Sequence, residues 1–189
     1  VMGVALLAGC ISGKDRMPQK LWTITFPDGS PARPMEAKWA VSRIGAVSAA
    51  PPFDGVPITV FRADGSIARD PVHQFAAPPA SLVKRVLAKA MEEDGRFGMT
   101  VPAHSAAPAD ATLEALVAEI ALDASSGNSR YASVKIELSL VDTSKPVRRL
   151  LGKSRGEGRV NAASGNYTAA FSAAAANAVR QALNNIPVP

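Results

Sequence analysis

Residue types that support catalysis are few in this chain and lie far apart along it. The two histidines, His73 and His104, fall in loop-like stretches without a nucleophile or carboxylate partner at the spacing of a known motif. The acidic run Glu92-Glu93-Asp94 falls at the end of a predicted helix, where adjacent carboxylates are more often solvated charges than an acid–base pair. We therefore predict no catalytic residues, no cofactor and a protein that is not an enzyme.

Two glycine-containing segments approach the patterns that bind phosphates or dinucleotides. Gly152-Lys153-Ser154 matches the end of a Walker A motif, but Val147 occupies the position of its first glycine. Gly156-Glu157-Gly158 lacks the third glycine of a dinucleotide fingerprint, and we predict a flexible turn there. One cysteine and two histidines cannot supply a Cys/His zinc cluster, so we predict no metal site.

The single cysteine, Cys10, follows an uncharged apolar stretch, residues 1–9. This stretch is too short to cross a bilayer, which needs about 20 apolar residues, but it ends in small residues typical of a signal cleavage site. Leu7-Ala8-Gly9-Cys10 resembles the bacterial lipobox, which implies cleavage between Gly9 and Cys10 and acylation of the cysteine. We expect residues 1–9 to be a truncated signal peptide and residues 10–20 a lipidated amino terminus and tether, because two or three acyl chains anchor a protein durably.

The remaining residues, 21–187, are expected to form one domain. A chain of 189 residues with 47% hydrophobic residues can bury a substantial core. Residue patterns predict strands at 21–26, 38–47, 56–62, 97–101, 133–140 and 147–160, a helix after Pro78-Pro79 that Gly95 ends, and a helix at 167–185, while 112–124 fits either type. The predicted fold class is α+β: a mixed or antiparallel sheet of about five to six strands, with two main helices packed on one face.

Basic residues are concentrated in and just before the last predicted strand, where six fall within fifteen positions. They could contact lipid phosphates or an acidic partner. The alternative, which we favour, is a set of solvated charges that prevents unwanted pairing at a sheet edge. A net charge of +5 with only 5% aromatic residues does not predict nucleic-acid binding. The candidates for lipid or partner contact are Arg148, Arg149, Lys153 and Arg155, with Lys145 and Arg159 flanking them.

Several segments together suggest a family. Residues 43–47 (Arg-Ile-Gly-Ala-Val) precede residues 51–62, which begin Pro51-Pro52-Phe53 and end Phe61-Arg62, and residues 70–79 end in Ala-Ala-Pro-Pro. With the alanine-rich helix after Gly165-Asn166-Tyr167, they resemble the ABC-type transport auxiliary lipoprotein family, which includes PqiC-like proteins. The resemblance covers roughly residues 7–186, and its pattern makes 112–124 a strand. The chain departs from the pattern at Phe75, where the family has tryptophan.

The resemblance implies an accessory lipoprotein of the periplasm that helps an ABC transporter move lipid between membranes. Its partners would be a protein with mammalian-cell-entry (MCE) domains and the transporter permease complex, and a homo-oligomer is allowed. Phe53, Phe61 and Phe75 are candidates for docking, although phenylalanine is more often buried. Ile11 after the cysteine favours the outer membrane. The alternatives are an envelope structural lipoprotein that contacts peptidoglycan or an outer-membrane assembly and, third, an enzyme acting on envelope lipids.

Overall fold

The computed structural model describes residues 18–27, 37–126, 129–163 and 166–187. Within these residues the chain forms eight strands and two helices. The strands are β1 (Lys20–Trp22), β2 (Trp39–Ala49), β3 (Pro57–Arg62), β4 (Ile67–Phe75), β5 (Phe97–Val101), β6 (Ala111–Ala124), β7 (Tyr131–Asp142) and β8 (Arg149–Asn161), and the helices are α1 (Pro79–Glu93) and α2 (Tyr167–Asn185).

Strand β6 organises the sheet because different strands pair along its two edges. One edge pairs with antiparallel β7, which in turn pairs with antiparallel β8. The other edge pairs in parallel with β2 along its first half and with β3 along its second half. Strand β5 extends the sheet from β2, and strands β4 and β1 extend it from β3. The sheet is therefore mixed. Beyond β6 it divides into two parts, one formed by β2 and β5 and the other by β3, β4 and β1.

Both helices pack on one face of this sheet, hereafter the inner face. Alternate residues of β6 and β7 are buried there, as period-two burial requires of a sheet covered on one side. Helix α2 lies over β7 and β8, and α1 packs beside it over β2, β5 and β6. Burying each large apolar side chain in this layer contributes about 1.5–3 kcal/mol. The largest of the fully buried side chains are Ile24, Ile58, Leu82, Leu87, Met91, Leu113, Ile120, Leu122, Ile136, Leu138, Leu140 and Phe171.

Helix α2 approaches β8 so closely that the strand has no room for a side chain at two of its inner positions, Gly156 and Gly158. A Cβ atom added to Gly156 would lie 1.8 Å from the carbonyl oxygen of Ala178, and one added to Gly158 would lie 1.9 Å from that of Ala174. These distances are far below van der Waals contact, so only glycine fits at either position. The prediction of a flexible turn at residues 156–158 was wrong, because both glycines belong to a strand that packs directly against helix backbone.

The predicted α+β class and mixed sheet are confirmed, and the helix at 167–185 has the predicted bounds. The predicted strand count was too low, because β4 was missed and residues 112–124 lie in strand β6. Pro71 obscured β4, since proline is unusual inside a strand. The register between β3 and β4 shifts near Pro71, and the Asp70 carboxylate accepts the N–H groups of Val72 and His73 at 2.8 and 2.9 Å.

The predicted first strand also differs, since β1 ends at Trp22 rather than at residue 26. The segment that follows crosses onto α2 instead of staying in the sheet. There Ile24 is buried, the Thr25 N–H donates to the Ser172 hydroxyl at 3.0 Å, and the Phe26 ring lies under the Arg180 guanidinium. The apolar residues of this segment are therefore buried by the helix.

The contact between β8 and α2 predicts a large effect of a single methyl group. We expect Gly156→Ala to reduce the free energy of unfolding by about 3 kcal/mol, because the helix backbone must move to admit the added carbon. The matched control is Gly55→Ala, whose Cβ would meet only Pro57 Cδ, at 3.4 Å. Urea denaturation of both variants measures the difference, and equal stabilities would contradict the proposed tight packing.

Candidate docking surface

The loop between β7 and β8 exposes apolar and basic side chains side by side. We call residues 143–150 the hairpin tip. Val147 is 81% exposed and Leu150 is 51% exposed, and both are among the most exposed large apolar residues of the described chain. Lys145, Arg148 and Arg149 are exposed around them. This combination suits contact with a surface that is both anionic and apolar.

The base of the hairpin tip is held by hydrogen bonds. The Thr143 N–H donates to the Asp110 carbonyl at 2.9 Å, and the Thr143 hydroxyl donates to the Ala109 carbonyl at 2.7 Å. The Ser144 hydroxyl and N–H both donate to the Asp142 carboxylate, at 2.6 and 2.9 Å. These two bonds, together with the nearby charges of Lys145 and Arg149, lower the pKa of Asp142. The loop thus starts from fixed positions on the sheet.

A β-bulge turns Leu150 towards solvent. Leu140 pairs with Gly152, but the next residue, Val141, pairs with Leu150, so Leu151 is an extra residue in β8. Regular alternation from Gly152 would direct Leu150 to the inner face, whereas the bulge reverses the alternation at this point. Leu150 is consequently exposed on the same side as the basic residues. The sequence showed the basic cluster but not this exposure, because the bulge depends on strand pairing.

Farther along β8, the basic residues are paired with carboxylates on the outer face, the side of the sheet opposite the helices. Arg155 lies 2.9 Å from the Glu137 carboxylate, and Arg159 lies 2.8 Å from that of Asp123. On β7, the Lys135 ammonium lies 2.8 Å from the Glu119 carboxylate, whose hydrogen bond raises the pKa of Lys135. These cross-strand pairs neutralise most of the outer face near the middle of the hairpin.

The four basic candidates therefore differ in their surroundings. Arg155 has a carboxylate partner, whereas Arg148, Arg149 and Lys153 form no ion pair with the described part of the chain. The basic residues without an ion pair therefore lie at the hairpin tip and at the adjoining Lys153, and the Asp142 carboxylate near Arg149 offsets part of their charge. Arg155 is the least suited of the four to bind an external anion, because Glu137 competes for its guanidinium.

The three phenylalanine candidates for docking also differ in burial. Phe75 is only 2% exposed and packs edge-to-face on Phe171, with ring centroids 5.1 Å apart. The prediction that Phe75 contributes to a docking surface was wrong, since its ring belongs to the core. Phe53 and Phe61 are half-buried and contact each other, with centroids 6.1 Å apart. Of the two, Phe53 packs against the core.

His73 lies in a different environment from the one predicted. It belongs to β4 rather than a loop, and its Nδ1 lies 2.9 Å from the carboxylate of Asp70, three residues earlier. The imidazole also contacts Trp22 and Tyr167, with centroids 5.8 and 5.1 Å away. Arg130 donates to the Tyr167 hydroxyl at 2.9 Å. This cluster joins β1, β4 and α2, so it has a structural role, while His104 is exposed.

Some predicted features fall outside the described residues, namely Gly9 and Cys10. Within residues 18–27, 37–126, 129–163 and 166–187, no three or more His, Cys, Asp and Glu side chains are grouped so as to hold a metal ion. None of the helices in these segments is long and apolar enough to cross a membrane.

The fold can be compared with known proteins. No family model and no curated protein matches the sequence. The crystal structure of protein XCC0632 from Xanthomonas campestris, a DUF330 protein, superimposes with a TM-score of 0.64 at 19% identity, over 86% of this chain and 89% of that one. This chain has the fold of a DUF330 protein.

Two further solved structures are similar to the chain. An uncharacterized protein superimposes with a TM-score of 0.59 at 11% identity, over 88% of this chain and 95% of the other. A dodecamer of a PelC point variant from Paraburkholderia phytofirmans gives a TM-score of 0.48 at 14% identity, over 82% of this chain and 92% of that chain. At these identities the likeness concerns the fold alone, so the role of the hairpin tip in this DUF330 fold has to be argued from its own chemistry.

The distribution of basic residues with and without an ion pair predicts which substitutions weaken binding of the protein to anionic vesicles. We expect the double variant Arg148→Ser/Arg149→Ser to weaken binding to phosphatidylglycerol vesicles by about tenfold or more at low salt, because each basic residue near an anionic surface contributes about 1 kcal/mol. Arg155→Ser should change binding by less than about threefold, since Glu137 already neutralises that charge. Sedimentation at two salt concentrations measures both effects. Equal losses in the two variants would show that the tip is not the contact.

Proposed function

We propose that this protein is a membrane-anchored accessory lipoprotein of an ABC/MCE-type lipid transport system in the cell envelope of a Gram-negative-type bacterium. It acts by binding and scaffolding rather than by catalysis. The observation that carries the proposal is Leu7-Ala8-Gly9-Cys10, a lipobox-like sequence upstream of a domain whose segments resemble the auxiliary lipoproteins of ABC transporters. Ile11 favours the outer membrane as the site of the anchor.

The anchor and the hairpin tip have complementary roles in this proposal. Acylation of Cys10 holds the domain at one membrane and raises its effective concentration near a transporter component. The tip then contacts an acidic or lipid-bearing surface of the transport complex through Val147, Leu150 and the unpaired basic residues. Hydrogen bonds at the base of the tip reduce the entropy lost on docking, because the loop does not have to become ordered.

The anchor is tested by Cys10→Ser, expressed with its own signal sequence in a Gram-negative host. We expect the variant to move from the membrane fraction to the soluble periplasmic fraction, because without its acyl chains the domain has no durable hold on a bilayer. Fractionation and mass spectrometry of the amino terminus measure the change. Retention of Cys10→Ser in the membrane fraction would exclude acylation as the anchor.

The transport role is tested by purifying the native lipoprotein from membranes and identifying its partners. We expect an MCE-domain protein or the permease complex to copurify, and Arg148→Ser/Arg149→Ser to lose most of this material while Arg155→Ser retains it. Recovery of only peptidoglycan or an outer-membrane assembly would overturn the transport role and favour an envelope structural lipoprotein.

A further inference from the structure

A cleft of about 570 Å³ lies beside β2, near the first turn of α1 and the hairpin tip. Its walls come from five separate parts of the chain: β2, the first turns of α1, the loop between β5 and β6, β6 itself and the loop before β8. The charged and hydroxyl-bearing side chains that line it are Arg43, Ser81, Lys84, Thr112, Glu114 and Arg148.

Gly45 leaves space in the cleft. A Cβ atom at this position would lie 2.7 Å from Thr112 Cγ2 and 3.0 Å from Glu114 Cγ, so a side chain would collide with the opposite wall. The neighbouring β2 register also shifts between Ile44 and Val47, which opens the strand pairing at this point. Glycine and the bulge together produce a concave surface at this part of the sheet.

Arg43 is the most rigidly held cation of the cleft. Its Nη2 donates to the carbonyl oxygens of Ser105, at 3.2 Å, and Ala107, which orient the guanidinium plane. Its Nε is buried and has no hydrogen-bond partner among the described residues. A fixed guanidinium is well suited to bind phosphate oxygens.

Two further cations face the same space without a partner. Lys84 and Arg148 form no ion pair with described residues, and neither is paired with Glu114, the one carboxylate in the cleft. The cleft therefore has an excess of positive charge. The first turn of α1 adds to this potential, because it has no acidic residue and no side-chain cap.

We propose that this cleft binds a phosphate-bearing anion, with Arg43 and Arg148 contacting phosphate oxygens and Lys84 supplying a third positive charge. The exposed Ser81 hydroxyl can donate a further hydrogen bond. Glu114 opposes the ligand charge and lowers the affinity. The same chemistry describes the headgroup of an anionic phospholipid and a soluble phosphate ester, and the inference does not depend on the proposed transport role.

The test measures binding of glycerol 3-phosphate and inorganic phosphate to the full chain by isothermal titration calorimetry. We expect Lys84→Gln to weaken binding three- to tenfold and Glu114→Gln to strengthen it by about twofold or more, because charges near a phosphate contribute in opposite directions. The matched control is Lys89→Gln, five positions along α1, where the lysine lies 2.8 Å from Glu92. All variants should retain the thermal midpoint of the parent protein, since Lys84 and Glu114 lie outside the core.

Vesicles of phosphatidylglycerol, with phosphatidylcholine vesicles as reference, distinguish the two sources of phosphate. Competition between phosphatidylglycerol vesicles and glycerol 3-phosphate for the Lys84-dependent site supports a lipid headgroup, and soluble binding without competition supports a free phosphate ester. The proposal is overturned if neither phosphate compound binds up to about 10 mM, a concentration that would detect even weak specific binding. Equal losses in Lys84→Gln and Lys89→Gln would also overturn it. Copurification with transporter components is a separate result that none of these outcomes alters.

Discussion

The backbone contact between β8 and α2 determines how the rest of the hairpin can be used. Ala174 and Ala178 place their carbonyl oxygens where Gly158 and Gly156 have no side chain, so helix and strand approach more closely than ordinary side chains permit. At this distance polar side chains of α2 reach the edge of the sheet: the Gln181 side-chain oxygen accepts the Glu157 N–H at 2.6 Å, and the Asn185 amide donates to the Arg155 carbonyl at 3.4 Å. The helix thus satisfies backbone groups that would otherwise be open to another strand.

This arrangement bears on the two interpretations of the basic cluster. If charge alone protected the edge of β8, Arg155 would be a central protecting residue, yet α2 already covers the adjacent peptide groups and Arg155 is paired with Glu137. Because the glycines occupy the inner positions of β8, its charged residues alternate onto the outer face, where carboxylates of β6 and β7 meet them. The residues that remain unpaired, Arg148, Arg149 and Lys153, lie towards the start of the strand. Their positive charge is not explained by edge protection near residues 155–157.

The sequence predicted the features that depend on local periodicity. The bounds of α2 and the alternation of buried and exposed residues in β7 follow from the spacing of apolar residues along the chain, which does not depend on tertiary contacts. Prediction from the sequence failed where contact with a neighbouring strand or helix determines the local structure. Pro71 concealed β4 because the side chain of Asp70 replaces the lost strand pairing. Gly156 suggested a turn because the residue that requires glycine there, Ala178 of α2, lies 22 positions later in the chain. The exposure of Leu150 and the pairing of His73 with Asp70 likewise need tertiary structure, as does the meeting of Arg43, Lys84 and Arg148 in one cleft.

Arg148 connects the two surfaces of this end of the molecule. It follows the exposed Val147 in the hairpin tip, and it lines the cleft with Arg43 and Lys84. Like charges held near one another destabilise a folded protein unless counter-charges offset the repulsion. The outer face shows that this fold can supply such counter-charges, since Arg155 and Arg159 each have a carboxylate across the strand. Arg148 and Lys84 have no carboxylate partner among the described residues, which is expected where an external anion completes the charge balance. The exposed apolar side chains beside Arg148 favour an anion that carries an apolar part.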